Sequence, residues 1–274
     1  MIFRTGEGMT SESLASTRAF WDANPCGVHA DYEAQRTQRY AMEPWIPAVV
    51  HKVASRHLSV LEVGCGQGID AMEFCQRLNP EAQYLGLDYS PRSLAIAAAN
   101  AEHLRPSLRV IPEFRVGNAE SLDIPSENFD AVYSMGVIHH TADEAAAIRE
   151  IHRVLRPGGT AYVCMYRKPS PKVLVAKLLR ALQWSADRIL QTDRCVYAWL
   201  ARWGTSHPLF GTMFHECFGV PYMKWYSRGD ITSLFSAFHQ YTLVPVGLNL
   251  GRLSPSRRLP RWGYMWLIEA TKRG

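Results

Sequence analysis

The stretch Leu58-Ser59-Val60-Leu61-Glu62-Val63-Gly64-Cys65-Gly66-Gln67-Gly68-Ile69-Asp70 decides how this chain is read. An apolar, β-type run ends in three glycines at alternate positions, and a helical pattern from Ile69 to Leu78 follows at once. Strand, glycine turn and helix in that order let backbone N–H groups approach a ligand closely, because glycine has no Cβ to hold it off. The spacing is G-x-G-x-G. A dinucleotide turn wants G-x-G-x-x-G, which would put the last glycine at position 69, and that residue is Ile69. A bare strand-to-helix turn also fits the triplet, so the rest of the chain has to decide.

Outward from this turn, strands and helices alternate. Strands are expected at 58–63, 83–88, near 110–116, 131–135, 160–166, 241–248 and 264–271. Helices are expected at 69–78, 91–104, 142–155 and 230–238, with Asp230 near the last one's N-terminus, where a carboxylate suits the dipole. Pro157-Gly158-Gly159 reads as the turn into the strand at 160. This rhythm means a parallel sheet covered on both faces, with a crevice at the carboxyl ends of its strands. Before it, a helix starts near Ser11 and ends before Pro25, and another spans roughly 45–55. After it, helical patterns at about 171–190 and 194–203 break the alternation.

Composition narrows the class. The chain has 274 residues, 47% of them hydrophobic, enough for a sizeable core. Net charge is +5, mildly basic, and no basic stripe with interleaved aromatics is visible. Arg252, Arg257, Arg258 and Arg261 sit among Ser and Pro and read as a solvated loop, so no nucleic-acid partner is expected. Six cysteines (26, 65, 75, 164, 195 and 217) form no C-x-x-C and read as reduced thiols in a cytoplasmic protein. No Cys/His pair has ligand spacing, so no metal is expected. Met1 to Thr17 lacks the apolar region of a signal peptide. No apolar run reaches the ~18 residues of a membrane span.

Four further stretches carry chemistry. Asp88 ends the second strand, where an acid can accept both ribose hydroxyls of an adenosine; capping the helix at 91–104 is its other use. Tyr89 follows and can pack on an adenine face. Gly117-Asn118-Ala119-Glu120 precedes Leu122, Ile124-Pro125 and Phe129-Asp130. Ser134-Met135-Gly136-Val137-Ile138-His139-His140 ends the fourth strand, and Glu150-Ile151-His152-Arg153-Val154-Leu155-Arg156-Pro157-Gly158-Gly159 comes next.

Together with the glycine turn, these stretches resemble the class I S-adenosylmethionine (SAM) methyltransferases of the small-molecule, quinone- and sterol-pathway kind (methyltransferase type 11 domain). The resemblance covers residues 58–166 and is weak for 1–50 and 168–274. It implies an α/β fold: a Rossmann-like, seven-stranded, mostly parallel sheet flanked by helices, whose last strand is antiparallel beside strands 5 and 6. It implies four regions: an N-terminal helical cap (1–55), a SAM-binding core (56–167), a lid or substrate insertion (168–228) and a segment completing the sheet (229–274). It implies SAM as cofactor. Gly64 and Gly66 would face its methionine part, Asp88 its ribose, and Asn118 and Ala119 its adenine, with Met135 and Gly136 alongside. Arg39 could pair with its carboxylate, and Tyr40, Glu62, Cys65, Tyr89 and Glu120 complete the expected cofactor set. The family commonly has Asp where this chain has Asn118.

The expected activity is methyl transfer to a small-molecule acceptor, O- or N-methylation first and C-methylation second. A base is needed if the acceptor is OH or NH. His139 and His140 at the crevice are candidates, and His215, beside Glu216, is another. Trp21, Tyr32, Tyr222 and Tyr226 are candidate walls of an apolar acceptor pocket. No Asn-Pro-Pro-Tyr, Asp-Pro-Pro-Tyr or Pro-Cys follows the fourth strand, which disfavours adenine, glutamine and cysteine-assisted pyrimidine methylation. An NAD-type oxidoreductase and a SAM-binding module without catalysis are the competing readings. The chain is expected to act as a monomer or homodimer. Lys172, Lys177, Arg180 and Arg188 flank Val173, Leu174, Val175, Leu178, Leu179 and Leu182. This basic amphipathic segment either touches a membrane surface or packs its apolar face on the domain.

Overall fold

The computed structural model of the chain describes residues 11–23, 31–192, 196, 220, 223–247 and 263–274. Seven strands form one sheet: β1 (Ser59–Val63), β2 (Gln83–Asp88), β3 (Glu113–Val116), β4 (Phe129–Met135), β5 (Leu155–Tyr166), β6 (Gln240–Val246) and β7 (Met265–Thr271). Their order is β3-β2-β1-β4-β5-β7-β6. β1 to β5 are parallel, and β7 runs antiparallel between β5 and β6. This is the expected fold. The antiparallel strand wedged beside β5 also separates it from the 3-2-1-4-5-6 order of dinucleotide folds.

The α-helices among the described residues are α1 (Ser11–Ala23), α2 (Tyr32–Met42), α3 (Ile46–Ala54), α4 (Ile69–Cys75), α5 (Pro91–Leu104), α6 (Glu144–Val154), α7 (Pro171–Leu190) and α8 (Arg228–Leu234). Several of them start on a side-chain cap. Ser90 caps α5 by accepting from the Ser93 N–H, and Asp143 caps α6 by accepting from the Ala146 N–H. At α8 a capping box forms: Ser227 Oγ accepts from the Asp230 N–H at 3.2 Å, and Asp230 Oδ2 accepts from the Ser227 N–H at 2.7 Å. The Ser227 N–H, helped by Lys168 at 3.1 Å, holds the Asp230 carboxyl below its usual range.

Alternate side chains of each central strand go to opposite faces. Val60, Tyr84, Ala131, Tyr133 and Cys164 join α3 and α4 in one core. Leu61, Leu85, Val132, Val163 and Ile268 join α6 and α8 in the other.

Some boundaries differ from expectation. α2 was not expected: its run is polar and buries only Tyr32 and Gln35, so no apolar stripe announces it, and Asp31 starts it by accepting from the Ala34 N–H. β5 begins at Leu155 rather than after the Pro-Gly-Gly turn, because Leu155 pairs with Phe129 before the register shifts and Thr160 takes up Ala131. β3 starts at Glu113, after Pro112, since the Arg109 and Val110 N–H groups are spent on the Cys75 carbonyl. α8 begins two residues earlier and ends four earlier than expected. The pattern at 194–203, apart from position 196, and the Arg252 to Arg261 cluster lie outside the described residues, as do Cys26, Cys195 and Cys217.

Candidate functional site

The crevice lies at the carboxyl ends of β1, β2 and β4. The Gly64 and Cys65 N–H groups both donate to the Leu87 carbonyl, at 2.7 and 2.9 Å, which ties the glycine turn to β2. The glycines of this turn do different work. A Cβ on Gly64 would lie 2.3 Å from the Val137 side chain, and one on Gly68 would lie 2.9 Å from Ala97. Those two, with φ +80° and +76°, also have protein packed against them. Gly66, with φ +54°, would meet nothing within 4 Å. The same holds for Gly136 at the end of β4, with φ +81°. Both need a left-handed backbone, and both open onto unfilled space. At Gly64, expected to face the cofactor, the Val137 side chain fills the place a Cβ would take.

Asp88 closes the crevice on the β2 side. Its Oδ2 accepts from the Gly66 N–H at 2.8 Å and its Oδ1 from the Ser90 N–H at 2.9 Å. Burial raises its pKa, and the backbone donors pull the other way. Because Ser90 caps α5, Asp88 is not the helix cap; its two oxygens keep acceptor capacity for a ligand. Two glycines whose missing Cβ atoms leave room, beside a carboxylate with spare lone pairs, fit an adenosine-bearing cofactor laid against the backbone.

α1 crosses this crevice. Asp22 Oδ1 accepts from Ser90 Oγ at 2.8 Å and from the Arg92 N–H at 3.2 Å. The Arg18 guanidinium lies 5.7 Å from the centre of the Tyr89 ring. At the other side Trp21 meets the His140 ring edge-on, centroids 5.3 Å apart. One helix thus touches the ends of both β2 and β4.

Beneath the crevice is a buried charged cluster that the sequence reading missed. Asp70, in the first turn of α4, is 2% exposed. Arg39 grips it with Nε at 3.0 Å and Nη2 at 2.7 Å, while Tyr40 and Tyr133 hydroxyls donate to it at 3.1 and 2.9 Å. Arg39 Nη1 donates to Glu43 at 2.8 Å. Arg39 and Tyr40, expected on the cofactor, are therefore engaged by Asp70, a bidentate charge pair being the strongest partner available. Glu73 is held by Arg36 and Arg77. Glu62 accepts from the Tyr84 hydroxyl, and burial, with the Asp70 charge nearby, pushes its pKa up to about 8. Glu62 is thus part of this cluster. The signal for Asp70 was its place two residues after the last glycine, and for Arg36 and Arg39 their helical spacing.

The other expected residues divide. Asn118 Oδ1 accepts from the Glu120 N–H at 3.0 Å, so its carbonyl oxygen is turned into its own loop. Glu120 Oε1 accepts from the Ala142 and Asp143 N–H groups at 2.8 and 3.3 Å. Glu120 thus ties the loop after β3 to the start of α6 rather than facing the crevice. Ala119 packs on the second core. Met135 is buried, Tyr89 is half-buried, and the buried Cys65 thiol is raised well above its usual pKa by burial. His139 is fully buried, its ring 3.9 Å from that of Tyr166, which fits packing better than proton transfer to an acceptor. His140 is the member of the pair that α1 reaches. Tyr32 and Tyr226, expected to line an acceptor pocket, are core residues, 6% and 4% exposed, and neither hydroxyl has a hydrogen-bond partner among the described residues. His215 and Tyr222 lie outside the described residues.

Comparison with known proteins agrees with this geometry. Residues 61–163 match the family described as "Methyltransferase domain". The match is confined to this stretch. It runs from β1 into β5 and holds the glycine turn, Asp88 and Gly136. A ubiquinone biosynthesis O-methyltransferase of Cereibacter sphaeroides is 32% identical over 127 residues, 46% of this chain and 48% of the relative. The chain thus spans about half the length of that relative. Two solved structures share the fold across nearly the whole chain. The magnesium protoporphyrin IX methyltransferase of Synechocystis PCC 6803, solved with bound SAH, has TM-score 0.58 and 15% identity, covering 96% of this chain and 95% of that one. The [4+2]-cyclase SpnF has TM-score 0.54 and 19% identity, covering 96% and 93%. At such identities the likeness is one of fold. Among the described residues no helix is long and apolar enough to cross a membrane.

Proposed function

We propose that the chain transfers a methyl group from SAM to a small-molecule acceptor and releases S-adenosylhomocysteine. The observation that carries this reading is the pairing of the open glycines Gly66 and Gly136 with Asp88 inside the matched stretch. When bound, SAM supplies a methyl group already activated on a sulfonium, so the protein's work is alignment and exclusion of water. Asp88 accepts the ribose hydroxyls. Gly66 and Gly136 let the main chain lie against the cofactor, Tyr89 and Ala119 flank its adenine, and Met135 packs beside it. With its oxygen bonded to Glu120, Asn118 offers the adenine its amide N–H groups. Asp70, Arg39 and Tyr40 hold α2 against α4 and so position the turn from behind.

α1 is the cover. Trp21 and Asp22 hold it to the two sides of the crevice and keep water from the reacting atoms. His140 takes the proton from an OH or NH acceptor. O- or N-methylation is the favoured outcome and C-methylation the second. A cytoplasmic setting agrees with the thiols of Cys65, Cys75 and Cys164, which are free and buried.

The test is incubation with SAM and a panel of phenols, amines and quinol-type acceptors, with S-adenosylhomocysteine read by mass spectrometry. Acceptor-dependent product that falls at least about a hundredfold in His140→Ala supports the assigned base. SAM binding without turnover on any acceptor would favour a binding module instead.

A further inference from the structure

α7 is built inside out. Its buried residues are few: Val173 at 4%, Ala176 at 1% and Gln183 at 8% exposed. Around the helix from these lie Leu174, Leu178 and Leu182, at successive intervals of four, with Ile189 and Val175 beside them. These positions share one side. They are 61%, 58%, 65%, 80% and 51% exposed. Of the two orientations the sequence leaves open, the structure has the apolar side turned to the outside. What anchors the helix is the narrower strip opposite, where Arg180 donates to the Val220 carbonyl at 3.0 Å; at the margin between the two sides Lys177 lies 4.9 Å from the Trp225 ring centre. A contiguous apolar stripe of this kind marks an interaction surface.

The border of the stripe says what it meets. Exposed Lys177 and Arg188 lie on one flank, with Trp184, 48% exposed, between them on the helix; the Arg188 guanidinium sits 5.5 Å from its ring centre. Asp187 is the one acidic residue of α7, against Lys172, Lys177, Arg180 and Arg188. Leucines facing outward with cations and an indole at their margin match a boundary between hydrocarbon and anionic headgroups. An unpartnered protein face would need no such bias of charge. α7 also leaves β5 at its carboxyl end, the edge of the sheet where the crevice lies.

We propose that the exposed face of α7 docks on an anionic lipid bilayer, lying in the interface with Leu174, Leu178, Leu182 and Ile189 toward the acyl chains. The proposal is independent of which acceptor is methylated, or whether one is. The experiment is flotation of the full chain with vesicles of phosphatidylcholine alone and of phosphatidylcholine with phosphatidylglycerol. Wild type is compared with the uncharged double variant Leu178→Ser/Leu182→Ser and with Arg188→Gln. The expected result is binding to the anionic vesicles, a partition coefficient at least about tenfold lower in the double variant, a smaller loss in Arg188→Gln, and unchanged circular dichroism and melting midpoint. Three results would overturn it. The chain does not float with anionic vesicles; or the serine variant binds them as wild type does, which makes the attraction one of net charge alone; or sedimentation shows a dimer that the serine variant dissociates, which assigns the face to a second copy.

Discussion

The crevice end of the sheet and α7 break the usual rule of burial in opposite directions. Behind the glycine turn, three carboxylates (Glu62, Asp70 and Glu73) are buried to 4%, 2% and 1% exposure. On α7, leucines are more than half exposed. Each arrangement costs free energy in the isolated fold. Buried charge costs desolvation that only close partners offset, and outward leucines forgo transfer out of water. The partners of Asp70 are all present within the chain: Arg39, Tyr40 and Tyr133. The carboxylate cluster is therefore a finished structure that fixes the turn above it. Among the described residues the α7 stripe has no such counterpart.

The largest expected effect breaks the finished side. Asp70→Ala strands the Arg39 guanidinium and two tyrosine hydroxyls, and should destabilise the chain by about 3–5 kcal/mol, read from urea unfolding. A change under about 1 kcal/mol would mean the cluster is not the support described here.

A smaller effect sharpens it. Because burial raises the Glu62 pKa to about 8, the group's contribution to stability is intact at acid pH and is lost as pH rises through that value. Between about pH 6 and pH 9 the wild type should lose on the order of 2 kcal/mol more than Glu62→Gln. The glutamine oxygen still accepts from Tyr84. Parallel pH profiles for the two proteins would contradict the assignment.

The smallest effect belongs to α7. Leu178→Ser/Leu182→Ser should change unfolding free energy by no more than about 0.5 kcal/mol per site, since neither side chain is packed. A loss of about 2 kcal/mol or more would show that the stripe is covered by the chain itself.

What the sequence disclosed follows the same division. Residues 58–166 were legible because their constraints are local. An apolar strand, a glycine turn and a capped helix each leave a signature within about ten residues. Asp88 stood out for that reason. The Asp70 cluster did not, because its members come from α2, α4 and β4, and a tyrosine in mid-strand reads as core until the fold brings an acid to it. Gly64 and Gly66 look alike in sequence. Only packing shows that one abuts Val137 and the other faces open space. Tyr32 and Tyr226 were misjudged for the opposite reason, since aromatic density does not tell a pocket wall from a core. The orientation of α7 was open in the sequence because its apolar positions cover more than half of the helix, so periodicity could not say which side turns inward.

The most direct measurement is calorimetric titration of SAM into the wild type and into Asp88→Ala, with NAD titrated in parallel. The account predicts a single site for SAM, none for NAD, and a loss of about 1–3 kcal/mol in the variant from the missing charge-assisted hydrogen bonds to the ribose. NAD binding without SAM binding, or unchanged SAM affinity in a folded Asp88→Ala protein, would contradict it.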